Sequence, residues 1–388
     1  MKSIQCVAKT QEGLEDVLLN EIENLGGANA VKGKRHVAFE TDQEGLYRMN
    51  YNLRTAMNIL VPIAKARVRN TDELYAFAIR VKWDKYMNVD KTFAITSSVR
   101  SDLFTHSHYA ALKVKDAIAD YFRKYYGSRP NVERDLPDLK IDVHIDRENV
   151  TLSLDSSGSS LFKRGYRKNA GHAPINEVLA AGMILLSDWD KKSNFHDPMC
   201  GSGTIPIEAY MMMCKIPSGS CRMRFGFQDW HDFDKQLWKK VKEESDAQRI
   251  DPVAKISGTD ILEEAIEQAK KNLERIPGDT DISFNVQDFF ATKIPDGAFM
   301  VVNPPYDFRI GQHNILEFYE KIGSTLKRKG LNSTTWVLTG NMDALNKLGL
   351  RASKKYHLMN GSIPCRYNKY EIYEGSKKKK FQKDSTES

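Results

Sequence analysis

The chain has few cysteines, and none is arranged for structural chemistry. Cys6, Cys200, Cys214, Cys221 and Cys365 include no C-x-x-C pair, and no histidine sits at ligand spacing from one. That spacing argues against a zinc site and against a disulfide framework, and it fits a reducing cytosol. Long apolar runs are also absent. None reaches the roughly 20 residues that cross a bilayer. Glu12, Glu15 and Asp16 fall where a secretion signal needs an apolar stretch, so a cytoplasmic setting is expected, with no membrane and no metal partner. There is no G-x-x-x-x-G-K-[ST] run, which removes the usual cradle for a polyphosphate. No internal repeat is visible. The excess of one charge sign is small: 58 basic against 51 acidic residues give +7. Such a balance permits a polyanionic partner without demanding one. Nothing in the sequence fixes an oligomeric state.

What is present is a soluble globular composition, 41% hydrophobic and 28% charged, over 388 residues. That length suits two or three domains. Residues 4–8 read as a strand. Residues 12–25 read as an amphipathic helix through Leu14, Val17, Leu18 and Ile22, closed by Gly26 and Gly27. Residues 37–39 suggest a short strand. Strand, helix, strand, strand follow, over residues 92–99, 107–126, 141–145 and 150–154, an α+β pattern. The run from Asp155 to Ser160 reads as a flexible linker. Beyond it the rhythm becomes alternating strands and helices, the mark of a parallel sheet. Strands are expected at 195–196, 256–258, 282–286, 299–302 and 334–338, with helices at 205–213, 262–273 and 315–326. The 299–302 strand is apolar throughout, as a buried parallel strand should be. A hairpin closes the pattern, with Asn360 and Gly361 expected as its two-residue turn.

Three strand ends carry chemistry. Asp197, Pro198, Met199, Cys200, Gly201, Ser202, Gly203 and Thr204 follow one strand and open a helix, and their glycines let backbone approach a ligand closely. Asp260 and Ile261 end the next strand, where a carboxylate can accept from both hydroxyls of a ribose. Asp260 could equally cap the helix that follows. Asp288 and Phe289 end the third, placed to accept from an adenine amino group and to pack on its ring. Without a phosphate motif, this set fits an adenosine ligand that carries no polyphosphate.

Asn303, Pro304, Pro305 and Tyr306 end the fourth strand and are the most specific signal. Two prolines stiffen the turn and remove competing N–H groups. The Asn303 side-chain oxygen and the Pro304 carbonyl are then two acceptors, matched to the two hydrogens of a planar NH2 group. Tyr306 can stack on the attached ring. A buried structural turn is the plain alternative.

In this order, these residues resemble the class I methyltransferases that modify exocyclic amines with S-adenosylmethionine. More narrowly, the chain resembles the bacterial family of large-subunit ribosomal RNA guanine-N2 methyltransferases. The segments 161–167, 173–177 and 360–365 carry that closer likeness. The resemblance implies an α/β fold. It would combine a Rossmann-like, mostly parallel sheet that ends in an antiparallel hairpin with an N-terminal α+β ferredoxin-like and THUMP region. The implied organisation is a ferredoxin-like region over 1–55, a THUMP-like RNA-binding domain over 56–160 and a basic linker over 161–180. The methyltransferase domain would cover 181–375, and 376–388 would be a disordered basic tail. It further implies RNA, 23S ribosomal RNA in particular, as partner, with a flipped-out base. Asp307, Phe308 and Arg309 depart from the family's usual residues after the tyrosine. Lys163, Arg164, Arg167 and Lys168, with Tyr166 and His172 close by, suggest a path for an RNA backbone, although a solvated linker reads equally well. Adenine N6 in DNA or RNA, a glutamine amide, or a non-catalytic RNA-binding protein remain alternatives.

Overall fold

The computed structural model describes residues 3–104, 107–167, 175–294, 297–306 and 315–373. The chain divides into two compact units. The first comprises 1–10, 18–163 and 222–247, and the second 11–17, 164–221 and 248–388.

The first unit is built on one eight-stranded sheet. Along the chain run β1 (Ile4–Lys9), α1 (Glu15–Asn24), β2 (Ala28–Gly33), β3 (His36–Thr41), α2 (Gln43–Asn52), β4 (Asn58–Arg67) and α3 (Thr71–Ala78). Then come β5 (Thr92–Arg100), α4 (Ser107–Tyr126), β6 (Asn131–Val132), β7 (Leu139–Asp146) and β8 (Asn149–Asp155). The strand order is β2-β3-β1-β4-β8-β7-β5-β6. The strand β4 pairs with β1 on one side and β8 on the other, so no sheet edge falls at the expected boundary near residue 55. Alternation of Ile141, Val143 and Ile145 with Val150, Leu152 and Leu154 buries one apolar set under α4.

Two expectations fail in this unit. Residues 155–160 are not a flexible linker. Ser156 and Ser157 are fully buried, their hydroxyls bonded to the Ile59 carbonyl and the Asn50 side chain. Short polar residues with buried, satisfied hydroxyls make a fixed turn. The domain expected over 181–375 is also interrupted, because residues 222–247 belong to the first unit. There Phe225, Phe227 and Trp238 pack with Tyr47 and Tyr51, with Tyr47 stacked on Phe227 at 4.3 Å. Arg222 donates to the carbonyls of Ser157, Ser159, Ser160 and Lys163.

The second unit continues with α5 (Glu177–Leu186), β9 (Phe195–Asp197) and α6 (Thr204–Met213). The helix α7 (Lys235–Asp246) lies in the inserted segment. Next are β10 (Ile256–Asp260), α8 (Glu263–Leu273), β11 (Ile282–Val286), β12 (Phe299–Val302), α9 (Ile315–Lys329), β13 (Thr334–Thr339), α10 (Met342–Lys347), β14 (Lys354–Asn360) and β15 (Ile363–Glu371). The sheet order is β11-β10-β9-β12-β13-β15-β14, parallel except for the last two strands. The helices α5 and α6 are buried on all sides, as their near-continuous apolar sequences require. Asn176 caps α5, accepting from the Val178 and Leu179 amides. In the hairpin, Asn360 pairs with Ile363, so the turn is Gly361-Ser362. Positive φ falls on Gly361 and not on Asn360, one residue later than the sequence suggested.

Candidate functional site

In the second unit, β9, β10, β11 and β12 end on one edge of a parallel sheet. That edge is where open α/β sheets bind ligands, because loops there are free of the crossovers behind. The turn after β9 is tied to β10. The Cys200 amide donates to the Thr259 carbonyl at 2.9 Å, and the Gly201 amide to Asp260 Oδ2 at 2.9 Å. Asp260 Oδ1 accepts from the Leu262 amide at 3.0 Å. The carboxylate therefore holds the glycine turn and the Leu262 amide ahead of α8 without capping that helix, and each oxygen keeps a second lone pair. Gly203 has φ +80°, and a Cβ there would lie 2.9 Å from Ala269 and Phe284 atoms. Gly201, at φ +52°, has open space where a Cβ would stand.

Asp197 is fully buried. Burial, helped by the charge of Asp260, holds its carboxyl well above the usual range. Pro198 and Cys200 are buried beside it, and burial pushes the Cys200 thiol up. His196 meets Ser257 Oγ at 2.9 Å, and burial pushes its imidazole down to about 4. Ile261 is 67% exposed directly after Asp260, a bare apolar surface at the sheet edge. Asp288 is half-buried and accepts from the Phe290 amide at 2.8 Å. The hydroxyl of Ser202 is buried with no hydrogen-bond partner among the described residues.

Two expected cofactor contacts point elsewhere. Phe289 is 7% exposed and packs into the core with Ile294, Met300 and Tyr319. Its ring faces the core, while Ile261 is exposed at that edge, as are Leu262 and Val286. Thr204 is buried, with its hydroxyl held by Arg167 at 3.3 Å, so its side chain faces the protein.

After β12, Asn303 is half-buried, Pro304 buried and Pro305 exposed. The Tyr306 hydroxyl donates to Asn303 Oδ1 at 2.7 Å. Asn360 Nδ2 reaches the same hydroxyl at 3.2 Å, and Cys365 Sγ at 3.7 Å. Backbone carbonyls are pinned as well: Pro305 O by the Tyr319 hydroxyl at 3.2 Å, and Tyr306 O by Asn341 Nδ2 at 3.2 Å. Beside Tyr306 opens a cavity of about 480 Å³ lined also by Gly340, Asn341, Met342, Asp343 and Ile363. The sequence reading did not single out Tyr319 or Asn341, which lie outside the motif. Asn360 was read as a turn residue and Cys365 as part of a family likeness, neither as a partner of Tyr306.

The basic stretch is a correction. Arg164 is 1% exposed and faces Glu208, itself 0% exposed, at 3.4 Å, and the Tyr166 hydroxyl donates to the same carboxylate oxygen. Arg167 pairs with Glu177 at 3.0 Å and donates to the Ile175 carbonyl. These guanidinium groups are spent on buried carboxylates, the usual condition for a charge inside a protein. Neither is available to a phosphate. Lys163 is exposed. Lys168 and His172, the 307–309 departure and the tail lie outside the described residues. In the first unit, exposed Arg80, Lys82 and Lys85 surround a cavity of about 300 Å³ floored by Phe77, Val81 and Tyr86. No sequence motif announced it.

Known proteins resemble the chain in three stretches. Residues 5–60 match the RlmL ferredoxin-like domain, 68–155 the THUMP domain, and 164–369 the domain described as RMKL-like, methyltransferase. A Synechocystis sp. protein, provisionally named an RNA methyltransferase, is 35% identical over 94% of this chain and 96% of its own. The ribosomal RNA large subunit methyltransferase K/L of Vibrio cholerae is 35% identical over 95% of this chain. This chain spans about half, 53%, of that relative's length. A solved methylase predicted to be specific for N6 of adenine in DNA, from Listeria monocytogenes, superposes with TM-score 0.83 at 28% identity, covering 96% of this chain and 97% of its own. Another solved methyltransferase, in complex with SAH, gives TM-score 0.85 at 28% identity over 97% of this chain and 100% of its own. The second unit thus has the class I S-adenosylmethionine-dependent methyltransferase fold, and the chain belongs to the RMKL-like methyltransferase family, with THUMP and RlmL-type ferredoxin-like domains.

Proposed function

We propose that this chain methylates the exocyclic N2 of a guanine in 23S ribosomal RNA, using S-adenosylmethionine, in the cytoplasm. The observation that carries the reading is the pinned turn Asn303 to Tyr306 at the end of β12, in the sheet that also bears the glycine turn. Asp260 would accept from the ribose hydroxyls with the lone pairs left after Gly201 and Leu262. Ile261 would cover the adenine, and Asp288 would accept from its amino group. The orphaned Ser202 hydroxyl and the open space over Gly201 fit a polar ligand at that turn. S-adenosylmethionine supplies an electrophilic methyl on a sulfonium, and its sulfur leaves as a neutral thioether.

The protein's part is positioning and charge. The Asn303 oxygen and the Pro304 carbonyl accept the two amine hydrogens and orient the nitrogen lone pair. As the N–C bond forms, positive charge grows on nitrogen, and the two acceptors stabilise it. The proton leaves the methylated amine only afterwards, so no strong base is needed. Tyr306 offers its half-buried ring edge to the base. For the RNA backbone we propose the exposed Arg80, Lys82 and Lys85 of the THUMP domain, where Phe77 and Tyr86 add stacking surface.

Nucleoside mass spectrometry of 23S ribosomal RNA from a deletion strain tests the reading. It should lack one N2-methylguanosine present in the parent. Loss of an N6-methyladenosine would transfer the chemistry to adenine. No lost modification would sink the substrate assignment.

A further inference from the structure

We propose that Asn360 and the Tyr306 hydroxyl form a positioning relay that aims the Asn303 oxygen at the incoming amine. The inference rests on reading Asn303 as the amine acceptor. A tyrosine hydroxyl has one proton to give and two lone pairs. Here the Asn360 amide N–H donates to the hydroxyl oxygen at 3.2 Å, and Cys365 Sγ lies at 3.7 Å with its own proton nearer the Ile363 carbonyl, at 3.5 Å. The hydroxyl proton goes to Asn303 Oδ1 at 2.7 Å, the shortest of its contacts. An amide oxygen offers two lone pairs in the amide plane. With one occupied by Tyr306, the other has a fixed direction, and the amine hydrogen has one place to go. Burial raises the Tyr306 hydroxyl above its usual range, so it remains a donor wherever the enzyme works.

The hairpin supports the assignment. The Asn360–Ile363 pairing leaves positive φ to Gly361, so Asn360 is not needed to make the turn. It is an ordinary strand residue whose side chain reaches another loop. Gly340 is equally specific, because a Cβ there would come within 3.2 Å of the Tyr306 ring and 2.6 Å of Ile363. The absent side chain at Gly340 thus leaves room for one side of the ring while its hydroxyl is held by the hairpin.

The test uses the full chain, S-adenosylmethionine and total ribosomal RNA from a deletion strain as methyl acceptor. Tyr306→Phe keeps the ring and removes the relay. It should lower kcat about five- to tenfold, the worth of one neutral hydrogen bond, and leave KM for RNA unchanged. Asn360→Asp keeps the side-chain shape but loses the donor, and it should match Tyr306→Phe. The double variant should be no slower than Tyr306→Phe alone, because one relay is broken once. Cofactor affinity by calorimetry should be unchanged in all three. If the two losses multiply, or if Tyr306→Phe turns over at the wild-type kcat, the relay is overturned. Asn303→Ala distinguishes the levels. If it too keeps the wild-type rate, the reading of the site has failed and the relay with it. Wild type that transfers no methyl to this RNA overturns both.

Discussion

Two turns on one sheet edge are fixed by opposite means. After β9 the chain removes side chains: Gly201 and Gly203 take positive φ, and a half-buried carboxylate, Asp260, ties the turn down. After β12 the chain removes freedom: Pro304 and Pro305 fix φ, and hydroxyl and amide groups of Tyr306, Tyr319 and Asn341 pin what is left. A turn of the first kind can lie close along a ligand. A turn of the second kind holds a few acceptors rigidly at one point. The difference matches a division between holding a cofactor and orienting a reacting atom.

The comparison breaks most severely beneath the glycine turn. Arg164→Met would leave Glu208, on the helix that the turn opens, as an unpaired buried carboxylate. It should cost about 3–5 kcal/mol of stability, seen as a lower denaturation midpoint. An unchanged midpoint would mean that the Arg164–Glu208 pair does not hold this part of the fold together. Next comes the proline turn. Asn303→Ala should slow methyl transfer about a hundredfold or more while stability holds, as loss of one preorganised polar group does elsewhere. Asp260→Ala should weaken S-adenosylmethionine binding by about 1–3 kcal/mol in calorimetry. Unchanged affinity would reduce Asp260 to a support for the turn. A further effect concerns pH. The folded His196 titrates near 4, below its ordinary 6.5, so the unfolded chain binds more protons between those values. Its contribution is present above about 6.5 and is lost as pH falls toward 4. Glu177, raised by burial to about 7, changes in the opposite sense, so the variant-to-wild-type difference is the readout. His196→Asn should lose less stability than wild type across that window, and an equal loss would remove His196 from the account.

The two turns were legible in the sequence because their chemistry is local. Glycine, proline and acidic residues at strand ends announce themselves within eight positions. Burial is not local, and the misreadings follow from that. Arg164 and Arg167 look the same in sequence whether they face water or Glu208 and Glu177. Phe289 follows Asp288 whether its ring meets a ligand or Ile294. Ser156 and Ser157 read as linker because their partners, Ile59 and Asn50, lie about a hundred residues away. The departure of residues 222–247 into the first unit had the same cause, since only three-dimensional packing brings Trp238 to Tyr47. The strands expected at 92–99, 141–145 and 150–154 formed as expected, because alternation is a short-range signal. Asn360 was placed one residue off because Asn-Gly names a turn without fixing its phase.

The division between the turns is tested most directly by one titration. Single-turnover methyl transfer to deletion-strain ribosomal RNA is followed across S-adenosylmethionine concentrations for wild type, Asp260→Ala and Asn303→Ala. The account predicts that Asp260→Ala shifts the midpoint to higher cofactor and recovers most of the wild-type plateau. Asn303→Ala should keep the midpoint and lose the plateau. If both variants lose midpoint and plateau together, the two turns do not divide the work and the account is wrong.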